Sequence, residues 1–284
     1  MKGTSLVVAA LVALSLDGAS SGAGSSIPSR IVSLSPTATD DLFAVGAGKQ
    51  VIAVDSLSTY PKQAPVTKLS AFAPNVEAIA AYKPDLVVIS NDQNHIAEQL
   101  AKLHIKVVTE PAAANFGQVY RQILDLGKVT GHTAKAKAVV AGMKAQVAKI
   151  VKTTPRPSDP LRVYHELDPT YYSVTSHTFI GGMYTILGLK DIADAAGSST
   201  DYPQLSAEYI VASNPDLIVL ADTVCCQQNL ASVAARPGWS GINAVRDHEV
   251  VRIDDSIASQ WGTRTVLFMK AVASAVRTLE ARSA

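Results

Sequence analysis

Apolar residues along this chain fall into two rhythms. Short unbroken runs suit buried strands, and longer stretches with an apolar residue every three or four positions suit helices. Between Arg30 and Glu110 the two take turns. "RIVSLS" (Arg30 to Ser35) predicts a buried strand, and "PTATDDLFAVGAG" a helix with an acidic first turn and glycines at its end. "QVIAVD", "DLVVIS" and "KVVTE" predict three more strands, and "HIAEQLAKLHI" an amphipathic helix before the last of them. Strands apolar throughout that alternate with helices belong to a parallel sheet covered on both faces.

From Asn115 to about Thr153 the strand signal disappears. "FGQVYRQILDLGKVTG" predicts a helix broken near Gly131, and "TAKAKAVVAGMKAQVAKIVK" a second helix of about 20 residues, ~30 Å long. The prolines of "TTPRPSDP" end it. The α/β rhythm then resumes with the strand "LRVYHEL", the loop "DPTYYSVTSHT", the helix "FIGGMYTILGL", the segment "DIADA", the late strand "HEVVRIDD" and the closing helix "TRTVLFMKAVASAVRTLEAR". The reading is two doubly wound α/β lobes joined by one long rigid helix: a first lobe over 30–115, a helical segment over 116–155, and a second lobe with its terminal helix over 160–284.

One unit occurs twice. "NVEAIAAYKPDLVVIS" (Asn75 to Ser90) and "SAEYIVASNPDLIVLA" (Ser206 to Ala221) superimpose at a single offset, with Glu77 on Glu208, Pro84 on Pro215 and Asp85 on Asp216. Each reads as an N-cap, an acidic first turn, a Pro-Asp stop and a buried strand, so each lobe uses the unit once.

Composition narrows the function. With 25 Lys plus Arg against 24 Asp plus Glu, the chain has no basic excess to bind nucleic acid. Lys2 followed by "LVVAALVALSL" and the small residues "GASSGAGSS" predicts a signal peptide over 1–25, too short to span a bilayer, and hence an exported protein. Cys225 and Cys226, the only cysteines, are adjacent. Free thiols, a vicinal disulfide and an intermolecular bridge are all compatible with that spacing.

Ligands in open α/β sheets bind beyond the carboxyl ends of the strands. The segments there bring Tyr60, His95, Tyr171, Tyr172, His177, Trp261 and Arg264 toward one cleft, a set suited to gripping a large, partly aromatic, partly anionic molecule. Enzyme signatures fail. "GAGKQ" lacks the phosphate-loop hydroxyl, there is no GxGxxG after a strand and no GxSxG, and the spacing of His95, His165 and His177 supports neither a triad nor a metal site. The expectation is no catalysis and no resident cofactor or metal.

"RIVSLSPTATDDLFAVGAGKQVIAVD", "NVEAIAAYKPDLVVIS" and "RPGWSGINAVRDHEVVRID" (Arg236 to Asp254), in this order around a long helix, resemble the periplasmic-binding-protein family that captures iron–siderophore complexes, cobalamin and haem for ABC importers. The resemblance runs from about Arg30 to the end. It implies a monomer that holds its ligand between two lobes with little hinge motion. It also implies a membrane permease as partner, docked by one exposed glutamate on each lobe, at the positions of Glu77 and Glu208. Each of those acids is also what the first turn of a helix favours. Arg264 and the tyrosines point to a ferric siderophore as cargo, with a corrinoid as the alternative. With haem, Tyr171, Tyr172, His165 or His177 would ligate iron. An extracytoplasmic enzyme on a bilobal frame is the alternative of another class, and a sensor or adhesion module a third. Two departures stand out: Ala19 follows Leu16-Asp17-Gly18 where many Gram-positive relatives carry a lipid-bearing cysteine, and "CCQQ" matches nothing in the general family pattern.

Overall fold

The computed structural model describes residues 27–283, so the expected leader lies outside the described residues. The unbroken apolar runs of the first lobe are strands β1 (Ile31–Leu34), β2 (Val51–Val54), β3 (Leu86–Ile89) and β4 (Lys106–Thr109). They form a parallel sheet in the order β2-β1-β3-β4, with α1 (Pro36–Ala44), α2 (Val76–Ala80) and α3 (Ile96–Lys102) in the crossovers. β1 and β3 are buried along their whole length, while β4 at the edge is half exposed.

Two helices follow, α4 (Phe116–Val129) and the 21-residue α5 (Thr133–Thr153). Gly131, at φ +81°, makes the turn between them, and Gly127 lets them approach so closely that a β-carbon there would collide with Ala136. The second lobe repeats the plan of the first. β5 (Arg162–Glu166), β6 (Lys190–Asp191), β7 (Leu217–Leu220) and β8 (Val250–Arg252) form a parallel sheet in the order β6-β5-β7-β8. Around it lie α6 (Phe179–Leu187), α7 (Ala207–Ser213), α8 (Leu230–Ala234), α9 (Asn243–Arg246) and α10 (Asp255–Ala258), and α11 (Thr265–Ser283) closes the chain. Among the described residues no helix is long and apolar enough to cross a membrane.

The repeated unit is α2 with β3 and α7 with β7, and each strand stands third in its sheet. Asn75 caps α2 by accepting the Ala78 N–H at 2.7 Å, and Ser206 caps α7 by accepting that of Tyr209 at 3.1 Å. The Pro-Asp pair does more than stop a helix. Asp85 accepts the backbone N–H groups of Ser29 and Arg30 at 2.8 and 3.0 Å, and Asp216 accepts that of Arg162 at 2.9 Å. Each carboxylate thus ties the start of its own strand to the start of the central strand beside it. The arginines answer in kind, Arg30 donating to the carbonyls of Tyr82 and Lys83 and Arg162 to that of Ser213.

The lobes share one core. Ala136, Val140, Met143 and Ile150 of α5 belong to a single apolar cluster that contains Ile31 and Val88 of the first sheet and Val163 and Val219 of the second. Lys270 of α11 donates to Gln146 of α5 at 2.7 Å on its flank.

Two expectations need correcting. The helix expected at His95–Ile105 spans only Ile96–Lys102, because His95 and His104 both have left-handed backbones (φ 55° and 59°). Asp40 and Asp41 lie past the first turn of α1 and are buried, so they are not solvated partners of its dipole.

Candidate ligand-binding cleft

A mostly apolar recess with polar groups converging on it lies between the lobes and measures about 390 Å³. The first lobe contributes Ala112, Ala113 and Ala114 from the loop after β4. The second contributes Leu167 after β5, His177 to Ile180 at the start of α6, Asp201 and Tyr202, and Ala258 to Trp261 at the end of α10. Local chemistry sets these walls. Thr178 caps α6 by accepting the Gly181 N–H at 3.0 Å, and Gly181 packs on the Thr175 carbonyl where no β-carbon would fit. That contact fixes the first turn of α6 and so presents Phe179 and Ile180 to the cleft. Asp201 accepts the Thr175 hydroxyl at 3.0 Å and lies 3.2 Å from His177 Nδ1, and among the described residues no hydrogen bond engages Nε2.

Behind the wall formed by Gln260 and Trp261, the lobes are clamped together. Arg264 donates from Nε to Asp40 Oδ2 at 2.6 Å, and its Nη2 reaches Ser256 Oγ at 3.0 Å and Gln260 Oε1 at 3.3 Å. The Tyr60 ring lies 4.0 Å from the guanidinium carbon. Next to this pair the Thr263 N–H donates to Asp41 Oδ1 at 2.9 Å, and a β-carbon on Gly262 would strike the same carboxylate. Burial pushes the Asp41 carboxyl up to about 8, with the charge of Asp40 adding to it. Burial raises Asp40 to about 6 against the pull of Arg264, and raises Glu110 to about 7 with help from Asp125.

Of the residues picked out in the sequence, His177 and Trp261 line the cleft. The others do not. Arg264 is no free cation for an anionic ligand but is spent on Asp40, and Tyr60 stacks on it. His95 stands exposed at the start of α3. Tyr172 is exposed and pairs through its backbone with Gln204. Tyr171 turns away through a left-handed backbone (φ 71°) to pack on Trp239, ring centroids 5.5 Å apart. His165 is fully buried with Nδ1 2.7 Å from the Tyr184 hydroxyl, and burial lowers its pKa to about 3, so it is withdrawn from any cargo. Phe179, Ile180, Asp201, Tyr202 and Gln260 carried no motif.

A second buried polar group underpins the C-terminal lobe. Arg236 makes two bonds to Glu166, 2.5 and 2.6 Å, and lies over the rings of Trp239 and Tyr171 at 4.5 and 5.3 Å. Beside it Asp222 is raised to about 7 by burial and by the charge of Glu166. Cys225 and Cys226 are joined to each other by a disulfide, in a loop whose Val224 and Cys225 N–H groups donate to Asp255 at 2.9 and 2.7 Å. Glu77 and Glu208 are both exposed in the first turns of α2 and α7. Among the described residues, no group of three or more His, Cys, Asp and Glu side chains is arranged to hold a metal.

Two parallel-sheet lobes that share a core across one long helix and meet at a cleft lined from both sides define a two-lobed binding protein. The chain belongs to the periplasmic binding protein family, whose model matches residues 31–257. This is a family of extracytoplasmic binding proteins, not of enzymes. The chain is 32% identical over 259 residues to an uncharacterized ABC transporter substrate-binding lipoprotein, YvrC, of Bacillus subtilis (strain 168), an alignment covering 88% of this chain and 80% of that protein. It is 34% identical over 198 residues to a cobalamin-binding protein of Halobacterium salinarum, covering 68% of this chain and 53% of that protein, so it spans about half the length of that relative. Among solved structures, the periplasmic haem-binding protein HutB of Vibrio cholerae has the same fold, with a TM-score of 0.76 at 20% identity over 86% of this chain and 97% of that one.

Proposed function

We propose that this protein is the substrate-binding component of an ABC importer, and that its cargo is a bulky, mostly uncharged metal macrocycle of the corrinoid class. The observation that carries the choice of cargo is the charge of the cleft. No Lys or Arg lines it among the described residues, its ionisable lining side chains are His177, Asp201 and Tyr202, and the nearby Arg264 is neutralised by Asp40. A ferric catecholate or other polyanion would meet no counter-charge there and would lose its hydration for nothing. A neutral, amide-fringed ring finds what it needs in Phe179, Ile180, Trp261 and the three alanines, with Gln260 and the hydroxyl of Tyr202 for its rim. The cobalamin-binding relative supports the same choice.

Haem is a second reading, favoured by one observation. The contact of His177 Nδ1 with Asp201 is the second-shell arrangement that orients an imidazole for a metal through its other nitrogen. On either reading the carrier delivers its cargo to a permease, and Glu77 and Glu208 are the docking posts.

The test is a fluorescence titration of the protein with cyanocobalamin, dicyanocobinamide, haemin, a ferric hydroxamate and a ferric catecholate. Trp261 in the cleft is the reporter and the buried Trp239 the internal reference. Saturable quenching by the corrinoids below micromolar concentration, about 8 kcal/mol or more, supports the proposal. Saturation by haemin with a Soret shift that His177→Ala abolishes moves the cargo to haem. Tight binding of the catecholate alone restores the siderophore.

A further inference from the structure

The cleft makes no use of a second hollow in the C-terminal lobe. It measures about 550 Å³, its walls include Tyr171, Val211, Pro237, Gly238 and Trp239, and its single charged side chain is Glu208. The floor is stiff, because Tyr171 packs on Trp239 and both lie against Arg236, which Glu166 holds by two bonds. One wall is bare. Gly238 has φ +81°, a conformation side chains resist, and even a β-carbon there would come to 3.7 Å from Val211.

An aromatic-floored socket with one carboxylate on its rim is complementary to a bulky apolar side chain carried next to a cation. Among the described residues Glu208 enters no ion pair, so its charge is available to such a partner. The hollow beside Glu77 differs. Its walls include Lys68 together with Leu69 and Tyr82, and an ammonium there repels the same cation. The two posts match in sequence but not in surroundings.

Resting on the docking reading given above, we infer that the C-terminal lobe receives an anchor from the permease. A permease arginine or lysine pairs with Glu208, and a bulky apolar side chain adjacent to it fills the hollow over Tyr171 and Trp239. Glu77 contributes charge alone. The N-terminal lobe is steered into place while the C-terminal lobe is gripped.

The test uses the full chain and right-side-out membrane vesicles from the producing organism deleted for its own copy of this protein, with vesicles that lack the permease as blank. Ala212 sits exposed on the rim, so Ala212→Trp fills the hollow without entering the core, and Ala212→Ser is its control. Thermal melts confirm that each variant folds. The expected result is at least tenfold weaker association for Glu208→Lys and for Ala212→Trp, no further loss when the two are combined, and wild-type association for Ala212→Ser. Wild-type association of Ala212→Trp alongside weakened Glu208→Lys overturns the anchor and leaves docking intact. Wild-type association of both Glu77→Lys and Glu208→Lys overturns docking itself, and the anchor with it.

Discussion

Arg264, just before the last helix, donates to Asp40, in the first, across 2.6 Å and 224 positions of chain. Both side chains are largely withdrawn from water, at 12% and 2% exposure. Removing one partner of such a pair strands the other charge, whereas removing both does not. Asp40→Ala is therefore expected to lower stability by about 3 kcal/mol, and the double variant Asp40→Ala/Arg264→Met by distinctly less than the sum of the singles. Urea unfolding of the four proteins measures the coupling. Additive losses would mean that the pair does not hold the lobes.

The carboxyls around that clamp give stability an unusual slope with pH. Asp41, Glu110 and Asp40 titrate in the folded protein at about 8, 7 and 6, above their ordinary values near 4. Between about pH 4 and 8 the folded state holds protons that the unfolded chain has released, so stability falls as pH rises through this window. Asp191, at about 8, and Asp222, at about 7, act in the same direction. The melting temperature should be higher at pH 5.5 than at pH 8, and Asp41→Asn, which keeps an oxygen for the Thr263 N–H, should flatten the slope. A slope as steep in Asp41→Asn as in the parent would remove Asp41 from this account.

Cleft residues and their neighbours can be told apart by truncation. Phe179→Ala should weaken cargo binding about tenfold through lost apolar contact. His95→Ala and Tyr172→Phe should leave it unchanged, since neither residue lines the cleft. Titration of the three variants with whichever ligand of the panel binds the parent protein decides this, and a strong effect of His95→Ala would redraw the site.

Much of the architecture was legible because its causes are local. Unbroken apolar runs became central strands, and the twin units at Asn75 and Ser206 became twin helix–strand pairs at the same place in two sheets. The meaning of their Pro-Asp pairs was not legible. The partners of Asp85 and Asp216 are the chain before β1 and Arg162 at the start of β5, more than 50 positions upstream. The same distance hid the cleft. Asp40 and Asp41 read as an acidic helix turn because Thr263 and Arg264 lie over 220 positions away. Tyr171 read as a cleft residue because nothing in "DPTYYS" announces that its first tyrosine takes a left-handed backbone and the second does not.

The strand-tying aspartates give a further prediction. Asp216→Ala takes the acceptor from the Arg162 N–H and the Asn243 amide and leaves the Arg162 guanidinium with the Ser213 carbonyl alone, and should cost about 1–3 kcal/mol. Its hydrogen bonds hold the folded Asp216 carboxyl below its ordinary range, as they do Asp85. This contribution is therefore complete above about pH 4 and is lost as pH falls further, the reverse of the Asp41 case. Denaturant titration of Asp216→Ala at pH 7 and at pH 3 separates the two, with the deficit shrinking in acid.

The shared core around α5 bears on how cargo leaves. A recess whose two walls belong to one continuous apolar cluster is already shaped before anything enters it, so capture spends little on rearrangement. The same continuity ties the two lobes through buried side chains and not through a linker alone. Any separation of the lobes has to open that cluster and part Asp40 from Arg264.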